Sequence, residues 1–179
     1  MGTEPSCVSA MLDEWPQLVR TPEARCVAEV AQTVETFVAR ALKDPPPAPS
    51  LGGGGTASGA LSAGRVQRRL LYHGHCHQKA LIGTADAMAV LKVCTGGAAV
   101  EINSGCCGMA GSFGHEVEHY EVARAIGEQR LFPAIRARGD AEIAVSGFSC
   151  RQQIEHHTGV PARHLIEYVV DALLPGGAG

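Results

Sequence analysis

The cysteines are the residues of this chain whose types and spacing point most directly to chemistry. The stretch "SGCCGMAGSFGHE", residues 104–116, places Cys106 and Cys107 side by side in a run with four glycines. Adjacent cysteines rarely reach disulfide geometry with each other. Three further cysteines stand in "EPSC", "HGHCH" and "SGFSC", and they are Cys7, Cys76 and Cys150. These five thiols are candidate ligands of a metal or a metal cluster.

The setting of the chain bears on the state of these thiols. The seven cysteines are an odd number, no apolar run reaches about 18 residues, and the N-terminus lacks the basic and apolar regions of a signal peptide. We therefore expect a soluble, cytoplasmic protein without a membrane span. In that setting cysteines are typically reduced thiols, metal ligands or redox groups.

Charge and length limit the other possibilities. The 15 Lys and Arg against 18 Asp and Glu leave a net charge of −3 with no basic cluster, so we expect no nucleic-acid partner. The 179 residues predict a single domain, with a flexible loop at 44–64 that is rich in Pro, Gly, Ser and Ala. The opening "MGTEPSC" runs straight into a predicted helix, which suggests a fragment of a larger protein.

Short apolar runs alternate with helical patterns along the chain. This alternation predicts an α/β fold, with a mostly parallel sheet and flanking helices. The predicted strands are 68–74, 98–105 and 141–147. The predicted helices are 8–15, which ends before Pro16, and 22–43, 75–93, 117–135, 150–159 and 163–174, the last ended by Pro175.

This architecture brings most of the cysteines together. Loops that follow parallel strands emerge at the carboxyl edge of a sheet, where such folds bind their ligands. Cys76, the Cys106 and Cys107 pair, and Cys150 each follow a predicted strand, and Cys7 is a plausible fifth member. Cys76 and Cys150 also lie at the N-termini of predicted helices, where free amides favour a thiolate.

Three kinds of centre are compatible with these residues. Three histidines stand beside Cys76 and make a zinc or copper site possible, and they are His73, His75 and His77. The glycines around Cys106 and Cys107 favour a bulkier iron–sulfur cluster, because its sulfides need close backbone N–H donors. A dithiol exchange centre is less favoured, since the chain has no C-x-x-C.

The segments "LLYHGHCHQKAL", "SGCCGMAGSFGHE" and "SGFSC" together resemble the cysteine-rich CCG domain. This domain occurs in one of the subunits of heterodisulfide reductase and in the iron-sulfur subunits of glycolate oxidase and anaerobic glycerol-3-phosphate dehydrogenase. It also forms the C-terminus of FAD-linked oxidases acting on D-lactate or D-2-hydroxyglutarate, the group that this chain resembles most. The resemblance implies a 4Fe-4S cluster, cubane or noncubane, that serves electron transfer.

The resemblance also assigns ligands by position. Cys76 matches the cysteine before the first helix, Cys106 and Cys107 match the pair, and Cys150 matches the last cysteine of a terminal C-x-x-C. Gly147 replaces the first cysteine of that terminal pair. Cys7 resembles a cysteine of the oxidase-type members and is the candidate to fill the vacancy.

Several residues are expected to support the centre rather than bind it. The three histidines would orient the loop, Lys79 would offset negative charge or contact a substrate carboxylate, and Phe113 would shield the cluster. Gly105 and Gly108 would bend the loop so that both adjacent thiols can bind. Four other residues are expected to be ordinary: Cys26 and Cys94 in the core, and His156 and His157 facing solvent. His115 and His119 are expected to share one exposed helical face.

Two functions follow as hypotheses. In the first, the chain is the iron-sulfur electron-transfer module of a flavin-dependent 2-hydroxyacid dehydrogenase and relays electrons from flavin to an acceptor. FAD and a ferredoxin-like iron-sulfur segment would then reside on partner domains or subunits, through which the chain could lie peripheral to the inner membrane. The chain alone would not turn over substrate. In the alternative, it is a zinc-stabilised interaction domain with no redox role.

Overall fold

A computed structural model describes residues 1–44 and 68–173 of the chain. The flexible loop predicted at 44–64, apart from Asp44, and the helix end predicted at Pro175 lie outside these residues.

A parallel four-stranded sheet forms the centre of the described fold. Its strands are β1 (Leu70–His73), β2 (Ala99–Glu101), β3 (Glu142–Val145) and β4 (Ala162–His164), in the order β2-β1-β3-β4. Leu70 of β1 pairs with Ala99 on one side and with Glu142 on the other. All three strand pairs are parallel, which confirms the predicted α/β class.

Helices flank this sheet. They are α1 (Pro5–Ser9), α2 (Trp15–Leu18), α3 (Pro22–Val30), α4 (Val34–Lys43), α5 (Cys76–Leu81), α6 (Ala85–Cys94), α7 (Tyr120–Glu128), α8 (Leu131–Arg136), α9 (Phe148–Thr158) and α10 (Leu165–Leu173). A π-helical stretch, Ala10–Glu14, joins α1 to α2, and two short 3₁₀ turns, Phe113–His115 and Val117–His119, precede α7. None of the described helices is long and apolar enough to cross a membrane.

The sheet is buried on both faces. Leu70 and Tyr72 pack into an apolar cluster with α4, α6 and α10, whereas Ile143 and Val145 pack with α8 and α9. Strands covered on both sides are near-continuous apolar runs in sequence, which is why "RRLLYHG" and "AEIAVSG" were recognisable. The sheet is therefore a fixed platform for the loops at its carboxyl edge.

The first helical region is longer than predicted. Helix 8–15 was expected to end before Pro16, but the chain stays helical from Pro5 to Leu18. A proline in a helix cannot donate to the carbonyl four residues earlier and collides with it. The π-helical stretch before Pro16 accommodates it, since the amide of Trp15 donates to the carbonyl of Ala10, five residues back.

Three helices predicted as continuous are each divided in two. Helix 75–93 is divided into α5 and α6, near Gly83, whose φ is +88°. Helix 22–43 is interrupted before Thr33, which caps α4 by accepting a hydrogen bond from the amide of Thr36. Helix 117–135 is divided into α7 and α8. A helical period of apolar residues can continue across such a break, so the sequence pattern did not show it.

Two predicted boundaries at the sheet were also wrong. The strand expected at 98–105 ends at Glu101, and the following residues form the loop that carries the adjacent cysteines. The last helix was expected from 163, but Ala162–His164 pair with β3 as β4 before α10 begins. A three-residue strand is too short to show a period of two in the sequence.

Candidate metal centre

The carboxyl edge of the sheet brings together four of the five predicted cysteines. Cys76 is the first residue of α5, Cys106 and Cys107 lie in the loop after β2, and Cys150 lies in the first turn of α9. The Sγ atoms of Cys76 and Cys106 are 3.9 Å apart. Cys76, Cys106 and Cys107 line a cavity of about 790 Å³. The convergence predicted from parallel strand order is present in the structure.

The four thiols influence one another's protonation. The pKa of Cys107 is raised by hydrogen bonding to Cys106 and Cys150, and burial raises it further, because this side chain is only 3% exposed. The pKa of Cys106 is lowered to about 2 by hydrogen bonding from Cys107 and Cys76. The pKa of Cys150 is lowered first by Cys107 and further by the nearby His73 ring. The pKa of Cys76, in contrast, is raised by hydrogen bonding to Cys106 and by burial, so its place at the start of a helix does not make it a thiolate here. Cys106 and Cys150 thus favour the thiolate, the form that binds metal, while Cys76 and Cys107 favour the thiol.

The loop that carries Cys106 is fastened to α5 and folded back on itself. Lys79 Nζ donates to the carbonyl of Ser104 at 2.7 Å and to that of Gly105 at 2.9 Å. The amide of Gly108 donates to Cys106 Sγ at 3.3 Å. Lys79 therefore places its positive charge next to the cysteine loop, and its donors are directed at loop carbonyls.

The three histidines of "HGHCH" differ in their surroundings. His73 is fully buried, its Nδ1 lies 2.6 Å from Ser104 Oγ, and its Nε2 has no hydrogen-bond partner among the described residues. His75 is buried, and its Nδ1 accepts from the amide of His77 at 3.2 Å. His77 is exposed and, with His75, lines the cavity. Their assignment as orienting residues stays a prediction.

Glu4 is a residue of the site that sequence reasoning missed. Its Oε2 accepts from the amide of Phe148, the first residue of α9, at 2.8 Å. Its Oε1 lies 3.9 Å from His75 Nε2. Glu4 also lines the cavity, so the N-terminal segment closes one side of it. Only its place before Pro5, where a helix cap is common, was visible in the sequence.

Two of the predicted site residues lie elsewhere. Cys7 is exposed and lines a different cavity, together with Met11. Phe113 stacks on the ring of His119, with centroids 4.1 Å apart, and is not part of the cavity wall. Cys7 thus lines a different cavity from Cys76, Cys106 and Cys107, and its assignment as a ligand remains a prediction from the sequence.

The remaining cysteines and histidines follow the predictions only in part. Cys94 is buried as expected, and its burial raises its pKa to about 11. Cys26 is exposed, so its core assignment was wrong, because α3 turns this face outward. His115 and His119 end two separate 3₁₀ turns and share no helical face.

His156 and His157 also differ from each other. His156 is exposed, as predicted, and its Nε2 lies 3.0 Å from the hydroxyl of Tyr120. His157 is half-buried, because its ring packs against Phe132 with centroids 5.0 Å apart. The expectation that both face solvent was therefore wrong for His157.

The donor set and the space fit an iron–sulfur cluster. Within residues 1–44 and 68–173, no three His, Cys, Asp or Glu side chains converge tightly enough to hold a single metal ion. Three of the thiols, Cys76, Cys106 and Cys107, instead line a large cavity, and Cys150 lies against Cys107. A cluster distributes its thiolate ligands over several iron atoms, so its ligands need not converge on one point.

Comparisons with known proteins confirm the resemblance that the cysteine motifs predicted. The chain is 29% identical over 103 residues to D-2-hydroxyglutarate dehydrogenase of Escherichia coli, which covers 57% of this chain and 10% of that protein. It is 24% identical over 173 residues to a subunit of the anaerobic glycerol-3-phosphate dehydrogenase of Escherichia coli, which covers 97% of this chain and 40% of that subunit. A 67-residue stretch is 40% identical to D-2-hydroxyglutarate dehydrogenase of Pseudomonas putida, covering 37% of this chain and 6% of that enzyme.

The matched region is thus less than half of each of these relatives, and only about a tenth or less of the two D-2-hydroxyglutarate dehydrogenases. No protein-family model and no solved structure matches the chain.

Proposed function

We propose that this chain is the iron–sulfur electron-transfer module of a flavin-dependent dehydrogenase. The observation that carries the proposal is the grouping of Cys76, Cys106, Cys107 and Cys150 at one edge of the sheet, beside a cavity large enough for a cluster. Bound there, a 4Fe-4S cluster would supply one-electron chemistry. Its cubane or noncubane form would depend on whether Cys7 or another group completes the ligand set.

The residues of the chain itself would hold and tune such a centre. With a cluster bound, four thiolates would place negative charge in a partly buried site, and the Lys79 ammonium would offset part of it from its position beside the cysteine loop. The His73 ring lies beside Cys150, and its Nε2, without a partner among the described residues, would be a hydrogen-bond donor for a cluster there. Hydrogen bonds to the sulfurs and reduced solvent exposure both set the reduction potential of a thiolate-bound cluster.

The relatives support a role within a larger oxidoreductase. Each of them is by name a dehydrogenase or a subunit of one, and this chain matches only part of each. We infer that a flavin-bearing domain or subunit delivers electrons to this chain, and that a ferredoxin-like iron–sulfur domain accompanies it. The substrate would be a 2-hydroxy acid such as D-2-hydroxyglutarate, bound on the flavin partner.

Metal analysis of anaerobically purified protein tests this proposal. We expect a brown protein with about four iron atoms and as much sulfide per chain, as a thiolate-bound 4Fe-4S cluster requires. A colourless protein with one zinc per chain would instead establish the alternative, a zinc-stabilised interaction domain. His75 and His77, which line the cavity beside Cys76, are the residues on which this alternative rests, and a zinc site would require them to move closer to the thiols than they lie in the described residues.

An activity assay tests the division of labour. Oxidation of a 2-hydroxy acid needs a hydride acceptor, which thiolate-bound iron does not provide. The cluster-loaded chain, with an artificial electron acceptor and D-lactate, glycolate or D-2-hydroxyglutarate, should therefore show no turnover. Turnover without an added flavoprotein would contradict the assigned role.

A further inference from the structure

A buried carboxyl group is hydrogen-bonded to the helix that begins at Cys76. Glu35, in the first turn of α4, is only 1% exposed. Its Oε1 accepts a hydrogen bond from Gln78 Nε2 at 2.6 Å, and its Oε2 has no partner among the described residues. Burial of a charge without a compensating partner is costly, so such a group is usually neutral or has a specific role.

A chain of buried hydrogen bonds connects Glu35 with the segments that carry the thiols. Tyr72 donates its hydroxyl hydrogen bond to Gln78 Oε1 at 3.2 Å, and its hydroxyl oxygen also contacts Ser146 Oγ. Gln78 belongs to α5, which begins at Cys76, and Ser146 directly follows β3 in the segment that leads to Cys150. Glu35 is therefore linked to both segments without itself touching a cysteine.

The groups that face Glu35 do not supply a positive charge to neutralise it. Gln78 of α5 and Thr33 at the start of α4 are neutral, and Tyr72 of β1 has a pKa raised by burial, so it is neutral too. The α6 and α10 helices, which also pack on α4, contribute apolar side chains.

The remaining titratable neighbour is His164 of β4. Its Nε2 lies 2.9 Å from the carbonyl of Ser146 and 3.0 Å from that of Thr3, so this nitrogen carries a hydrogen. Its Nδ1 accepts from the amide of Ile166 at 3.2 Å, which requires a free lone pair there. His164 is thus hydrogen-bonded to backbone groups and not to Glu35. Burial raises the pKa of Glu35, and its hydrogen bonds offset this only in part.

We propose that Glu35 is a proton-holding residue that binds a proton when the thiol site gains an electron and releases it when the electron leaves. This inference rests on the proposed function. The flavin partner would supply one electron, water would supply one proton, and the carboxylate of Glu35 would become a carboxylic acid. Added negative charge in a poorly solvated region raises the proton affinity of a nearby carboxyl group, and by linkage the bound proton favours the electron equally.

The reduction potential of the cluster-loaded full chain, measured over a range of pH, tests the coupling. In the wild type, the equilibrium constant for reduction should fall about tenfold per pH unit between the pKa of Glu35 in the oxidised state and its higher pKa in the reduced state. Glu35→Gln, which keeps an acceptor for Gln78, should lose this decline. Glu29→Gln, an exposed change on α3, should behave as the wild type. Equal pH dependence in all three proteins would overturn the inference.

A second measurement needs no cluster. Infrared spectra of the metal-free wild type and of metal-free Glu35→Gln are recorded over a range of pH. Their difference spectrum should show the carbonyl stretch of a protonated carboxyl group, and this band should persist above the pH at which exposed glutamates ionise. An ionised Glu35 at that pH would overturn the proton-holding role, even if Glu35→Gln should fail to load iron. Failure of the wild type to bind iron would refute the proposed function and the coupling with it, while a persisting carbonyl stretch would still establish the buried proton.

Discussion

The backbone of Gly108 lies directly against the carbonyl oxygen of Ala123, with no room for a side chain between them. A Cβ at this position would overlap the main chain of α7, and the φ of Gly108 is +93°, which other residues rarely adopt. The loop that presents the adjacent cysteines can therefore pack on α7 only through a glycine at this position.

Replacing Gly108 by alanine should consequently destabilise the chain by roughly 1–3 kcal/mol, since the obstructing atoms are backbone. Gly105→Ala is the matched control, because a Cβ there meets nothing within 4 Å and should change stability by less than about 0.5 kcal/mol. Urea unfolding of both metal-free variants measures the difference. Equal effects would mean that the loop does not need to approach α7 this closely.

Loss of one buried thiol should prevent assembly of the cluster. Cys107 interacts with both Cys106 and Cys150, so Cys107→Ser removes the central member of the group. We expect near-complete loss of bound iron and sulfide after anaerobic reconstitution, with Cys26→Ser, an exposed change, retaining both. Full iron content in Cys107→Ser would refute the ligand assignment.

Cys7 provides a separate test of the ligand set. Because it lines a different cavity from the other thiols, we expect Cys7→Ser to bind as much iron as the wild type. The spectrum of the reconstituted protein should also be unchanged. A marked fall in iron would show that Cys7 is a ligand, as the sequence resemblance implied, and that the N-terminal segment rearranges when the cluster binds.

Gly147 stands where the resembled family has a cysteine, and the space that a side chain would need there is occupied by the ring of His75. A Cβ at position 147 would lie 2.6 Å from His75 Cδ2 and 3.4 Å from Cys150 Sγ. Restoring the cysteine with Gly147→Cys should therefore destabilise the chain by roughly 1–3 kcal/mol. Adding His75→Ala should remove part of that cost. The double variant should therefore lose less free energy of unfolding than the two single variants lose together. Additive free energies of unfolding would contradict this explanation.

The stability of the metal-free chain should depend on pH through Glu35. Its pKa in the folded chain is raised by burial, so above its usual value of 4.5 the folded state binds more protons there than the unfolded state. The contribution of Glu35 to stability is fully present at lower pH and is lost as pH rises through the folded-state pKa. Urea unfolding at several pH values should show that Glu35→Gln lacks this loss, while Glu29→Gln follows the wild type. If Glu35→Gln lost stability over the same pH range, another titratable group would be responsible for the loss.

Some features of this protein could be read from the sequence because they depend on local pattern. The apolar runs that become β1 and β3 and the glycine-rich stretch around Cys106 and Cys107 are of this kind. The rule that loops follow parallel strands to one edge then placed four cysteines together, because that rule depends only on strand direction. The resemblance of the cysteine motifs was readable for the same reason.

Other features exist only through contacts between distant segments. Glu4 accepts a hydrogen bond from the amide of Phe148, and Glu35 accepts one from the side chain of Gln78. These residues are far apart in the sequence, and no repeating pattern of residues indicates that they meet. β4 forms because three residues find a partner strand, and the side of α3 that carries Cys26 is exposed because the core lies elsewhere. The sequence thus determined which residues could bind a metal. Tertiary packing decided that Cys7 lines a different cavity from Cys76, Cys106 and Cys107 and that a buried carboxyl bonds to the helix that begins at Cys76, since burial and proximity are properties of the assembled chain.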